Sequence, residues 1–265
     1  MAGFNGGVIL GPAIGGALAH AVGPANTCFV VGGAIAGSAL LAHRLVPETR
    51  GIGEIGEANP PQTQSAGEVV RELWTTWNSE TSHELRRLCV ANLAFFATIA
   101  GANMTVLPLV LTGDMGLAPA VVGSLFAINA GVSLAATLPV AKVADKLGPS
   151  NIIVPALLAT AGAFAYLPWA SHHGYEFVAL AMAVQGLGSC VLGSAPTAAA
   201  ANAVPEDERA GALALLRVCG DLGLLTGSAG FGALAAAAGS DAAFGAASVL
   251  LVGTAARFLY LAPSK

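Results

Sequence analysis

Apolar residues along this chain come in long unbroken runs, not on one face of a helix or at every second position of a strand. The runs extend over 4–22, 25–45, 88–111, 119–140, 152–170, 175–201, 210–237 and 242–261. A bilayer core of about 30 Å takes ~20 residues of helix to cross, so the pattern predicts about eight spanning helices. Stretches such as 120–140 and 152–170 lack the alternation of a membrane barrel, in which every second residue faces the lumen. The predicted fold class is therefore all-α, a polytopic membrane helix bundle.

Composition strengthens this reading. Of 265 residues, 55% are hydrophobic and only 10% charged, with a mean hydropathy of +0.72. A soluble domain of this size needs more charge on its surface than 11 Lys+Arg and 15 Asp+Glu supply. The net charge of −4 offers no basic face for phosphates, which excludes a nucleic-acid partner. Cys28, Cys89, Cys190 and Cys219 all fall inside apolar runs without metal-ligand spacing and read as buried free thiols. Adjacent His172 and His173 read as a solvated loop pair. Neither metal nor cofactor is expected, and with no nucleophile-base pair, carboxylate pair or phosphate cradle, no enzyme is expected.

Lys and Arg collect at alternate junctions between runs. Arg44, Arg50, Arg71, Arg86, Arg87, Lys142, Lys146, Arg209, Arg217, Arg257 and Lys265 all fall toward one side, whereas Asp114, His172, His173, Glu176 and Asp241 mark the other. The positive-inside rule then places both termini in the cytoplasm. Met1 to Asn5 carries no basic residue, so the first run reads as a span, not a secretory signal.

The one sizeable polar stretch divides the chain into 1–45, 46–87 and 88–265. Within it, Ser65 and Glu68 have capping-box spacing, and Val69, Val70, Leu73, Trp74 and Trp77 recur at helical spacing. These residues predict a short helix on the cytoplasmic membrane surface; Gly51, Gly53, Gly56, Pro60 and Pro61 fit a solvated linker equally well.

The first and seventh runs align without gaps. Gly7, Gly11 and Gly16 fall on Gly223, Gly227 and Gly232, with Asn5 opposite Asp221, as in a duplicated helical unit whose small residues let backbones approach closely. Gly11-Pro12 and Gly15-Gly16 complete this packing motif in the first run. The glycine pattern resembles the fifth-helix signature of the major facilitator superfamily, and Pro47-Glu48-Thr49-Arg50-Gly51 resembles the PET motif after that family's sixth helix. Ala141 to Gly148, with Asp145 and Lys146, is similar to its GxLaDrxG gating loop, and 204–223 to the loop and eleventh helix of its drug-efflux-like members.

The resemblance implies helices five to twelve of a twelve-helix transporter: the last two helices of an N-terminal half (1–45), a cytoplasmic linker (46–87) and a six-helix C-terminal half (88–265). It implies a secondary transporter, expected as a monomer in the lipid bilayer, that moves a small amphipathic solute by alternating access, with a proton as candidate coupling ion. The rival expectation is a truncated, non-transporting membrane scaffold that lacks the first four helices.

Two residue sets carry the expected chemistry. Arg217 and Asp221, four apart, share a helix face, with Asp221 about 18 Å from the start of the seventh span, and an ionisable group close to mid-membrane is a functional candidate. Asn92, Asn103, Asn129, Gln185 and Ser189 are costly against lipid and are expected to face the interior, as cavity lining or as interhelical hydrogen bonds.

Overall fold

A computed structural model describes residues 11, 14–19, 21–45, 67, 71, 74, 75, 77 and 82–261. Among these residues every regular element is a helix. Residues 14–19 and 21–22 are helical, and Gly23 leads into α1 (Pro24–Leu45). Next comes α2 (Ser82–Thr98), which continues through π-helical Ile99–Val106, one α turn at Leu107–Leu109 and π-helical Val110–Asp114. Then follow α3 (Pro119–Leu147), α4 (Pro149–His173), α5 (Tyr175–Leu192), α6 (Ala195–Ala203), a 3-10 turn at Glu206–Glu208, α7 (Arg209–Ala238) and α8 (Ser240–Tyr260).

Seven described segments are long and apolar enough to cross a membrane, and they coincide with the second to eighth hydrophobic runs. The first run lies largely outside the described residues, as do Gly7, Pro12, the 47–51 motif, Ser65 and Glu68. Several helices outlast their apolar runs. α3 continues to Leu147 through Lys142, Asp145 and Lys146, because the Ala, Lys and Leu of this stretch are good helix formers and no Gly or Pro interrupts it before Gly148. Gly148 ends it: its φ of +86° is one a side chain resists, and Pro149 then opens α4 where its missing N–H is not needed.

Two groups of helices organise the bundle. α2 and its π-helical continuation lie along α7, while α5 packs against both α3 and α4, and α4 against α8. Between them sit fully buried Leu88, Leu125, Ile153, Leu157, Phe164 and Phe244. The α2–α7 contact is backbone to backbone: a Cβ at Gly227 would collide with the main chain of Ala97, and one at Gly223 with the Leu93 carbonyl. Close approach of this kind stabilises helices where lipid removes the hydrophobic drive between them.

Two expectations change here. Cys28 is exposed, not buried, because the apolar window of α1 has no buried residue. His172 and His173 close the last turn of α4 instead of forming a loop, and His173 stacks on Trp169 with ring centroids 3.8 Å apart, beside Phe177. α4 has half of its apolar window buried, since α5 and α8 cover two of its sides.

Candidate functional site

The face of α7 turned away from α2 carries the charged pair. Leu216, Gly220, Gly223 and Gly227 are buried on the α2 side, so Arg217 and Asp221 project outward. Arg217 donates from Nε to Asp221 Oδ2 at 3.2 Å, and the two side chains are 78% and 53% exposed. Val218, Leu222 and Leu225 flank them, also exposed. Thr226 and Ser228 continue this half of α7, each hydroxyl donating to a carbonyl of its own helix. The result is an amphipathic strip with an ion pair near its middle.

The polar set separates into two kinds. Asn92 and Asn129 are interhelical braces: Asn92 donates to the Leu216 carbonyl at 2.8 Å and Asn129 to the Met182 carbonyl at 3.1 Å. Asn103 and Gln185 are buried, and Asn103 Oδ1 and both polar atoms of the Gln185 amide have no partner among the described residues. Ser189 is half-buried on α5. Asn92 lies on the side of α7 away from the Arg217–Asp221 strip, and Asn129 lies where α3 packs on α5.

Of the packing glycines, Gly16 lies against the start of α3, where a Cβ would come within 2.7 Å of the Pro119 carbonyl oxygen. Gly11 and Gly15 have open space beside them, and Gly232 lies near Thr105. Asp145 and Lys146 are exposed on the last turns of α3 and take part in none of the ion pairs among the described residues. Also among those residues, no group of three or more His, Cys, Asp or Glu is placed to hold a metal.

Residues 88–265 match the model of the Major Facilitator Superfamily, two thirds of the chain and all six spans from α2 onward. The chain belongs to the Major Facilitator Superfamily. It is a multi-pass membrane protein of a transporter family. No match was found among curated proteins.

In this superfamily member a second polar site escaped the sequence reading. Arg87 is 6% exposed, although it looks like one more positive charge flanking a span. Its guanidinium donates to the Leu261 carbonyl at 3.0 Å, lies 3.8 Å from Glu84 and stacks 4.4 Å from the Phe258 ring. Glu84 in turn accepts from Ser150 Oγ at 2.9 Å. One arginine thus ties the start of α2 to the start of α4 and the end of α8. The only sequence signal was the Glu84–Arg87 spacing of three. Nearby, Arg86 holds the Trp77 carbonyl at 2.8 Å and covers its ring, docking that residue against the bundle while Trp74 stays exposed.

Proposed function

We propose that this chain works as a secondary transporter that moves a small amphipathic solute by alternating access, and that the Arg217–Asp221 face of α7 borders the solute's path. The observation that carries this reading is the placement of the pair on an outward face of an apolar helix, with Asp221 about 18 Å from Arg209. A charged side chain facing lipid at that depth costs at least ~2.5–3.5 kcal/mol, so this face needs water or a polar neighbour. Its remaining surface is Val218, Leu222 and Leu225. A neutral ion pair within an apolar strip suits a weakly charged amphipathic solute better than a phosphate or a sugar acid.

In this account 88–265 is the six-helix C-terminal half, 1–45 supplies the last two helices of the N-terminal half, and 46–87 is the cytoplasmic linker. Both termini lie in the cytoplasm, in keeping with the one-sided distribution of Lys and Arg. The turn at Asp145, Lys146 and Gly148 serves the cytoplasmic gate. A proton is the candidate coupling ion. The test is retention of lipophilic dyes, neutral and cationic, by cells producing the native protein. Wild type should lower dye accumulation, and the R217Q/D221N variant should abolish that effect at equal membrane abundance. Accumulation identical to that of cells without the protein, across both dye types, would contradict the reading.

A further inference from the structure

The α2–α7 interface keeps a constant register. Leu93 lies against Gly223, Ala97 against Gly227 one turn on, and Gly101 against Phe231 a turn after that. One step back along the same ladder puts Cys89 opposite Cys219. At that level Asn92 already reaches the Leu216 carbonyl at 2.8 Å and abuts Gly220. Cys219 packs against the buried cluster that contains Cys89. Cys89 is 1% exposed, whereas Cys219 is half-buried and so the more accessible of the two. The other cysteines lie elsewhere: Cys190 meets Thr137 between α5 and α3, and Cys28 is on α1.

We propose that Cys89 and Cys219 form a dithiol modification site, which a small disulfide of the glutathione type oxidises to a covalent staple between α2 and α7. Cys219, the accessible member, gives up its proton and attacks one sulfur of the small disulfide. That S–S bond breaks, a mixed disulfide forms on Cys219, and the first small thiol leaves with the electron pair and a proton. Cys89 then loses its proton, attacks the Cys219 sulfur and expels the second small thiol. Two protein thiols are oxidised and one small disulfide is reduced to two thiols. A disulfide needs Cα atoms roughly 4.4–6.8 Å apart, and the backbone contact one turn away at Gly223 supplies the close approach.

The experiment treats the full protein in detergent micelles with oxidised glutathione and reads intact mass and proteolytic peptides. The wild type should yield a peptide cross-linked between Cys89 and Cys219, two hydrogen atoms lighter than its two component peptides together, whatever adduct the exposed Cys28 takes up. C89S should stop at a glutathione adduct on Cys219, C219S should form no cross-link, and C28S/C190S should behave as wild type. A wild-type protein that keeps a stable adduct on Cys219, or whose Cys89 and Cys219 stay reduced while Cys28 reacts, would overturn the proposal. The wild-type peptide masses decide the matter even if a serine variant fails to fold.

Discussion

Asn92 donates its side-chain amide to the main-chain carbonyl of Leu216, 2.8 Å away on α7 and 124 residues on along the chain. This bond braces the contact that holds the charged strip of α7 in place. Asn92→Leu removes it without leaving a buried donor behind. The expected loss is about 0.6–2 kcal/mol, the range for a hydrogen bond between helices in a membrane. Unfolding of the purified protein by SDS in mixed micelles, followed by circular dichroism, reads the shift in midpoint.

Gly227 gives a sharper contrast. A Cβ there would run into the Ala97 backbone, whereas the neighbourhood of Gly230, on the same helix, is open. Gly227→Ala should cost roughly 1–3 kcal/mol or more as α2 and α7 are pushed apart, and larger side chains should prevent folding. Gly230→Ala should be neutral or slightly stabilising. Fluorescence-detected size exclusion of tagged variants separates the two: a broadened, aggregated profile is expected for the first and a wild-type peak for the second.

Arg87 and Arg209 test whether burial decides the worth of an ion pair. Arg87→Ala leaves the half-exposed Glu84 and the Leu261 carbonyl without the guanidinium they share, and losing a buried, charged hydrogen-bond donor of this kind costs about 1–3 kcal/mol. Arg209, paired with Glu206 at 3.8 Å with both side chains exposed, should be replaceable at a cost of ~0–1 kcal/mol. Thermal midpoints measured in the same detergent should fall strongly for the first variant and hardly move for the second.

The spans were legible because hydropathy over twenty residues is a local property. α1 and the helices from α2 to α8 lie where the apolar runs placed them, and the errors sit at the ends, where Lys142 to Leu147 extend α3 beyond its apolar part. The Arg217–Asp221 contact was legible for the same reason, being set by one helical turn. Long-range partnerships were not. Nothing near Arg87 in sequence announces Leu261 or Phe258, and nothing near Asn129 announces Met182. The π-helical turns around Pro108 also escaped: Thr105 Oγ1 donates to the Ala100 carbonyl at 2.7 Å, five residues back, in a geometry that apolar composition does not encode.

The central claim is that the outward face of α7 meets water, not lipid, and its most direct measurement is labelling of single cysteines by a membrane-impermeant maleimide in a cysteine-free background. Val218→Cys and Leu225→Cys, beside the ion pair, should react in intact membranes. Val249→Cys and Val252→Cys, exposed on α8, should stay unreactive. If the α7 positions prove as unreactive as those on α8, the pair borders no aqueous path and the account of α7 as its wall is wrong.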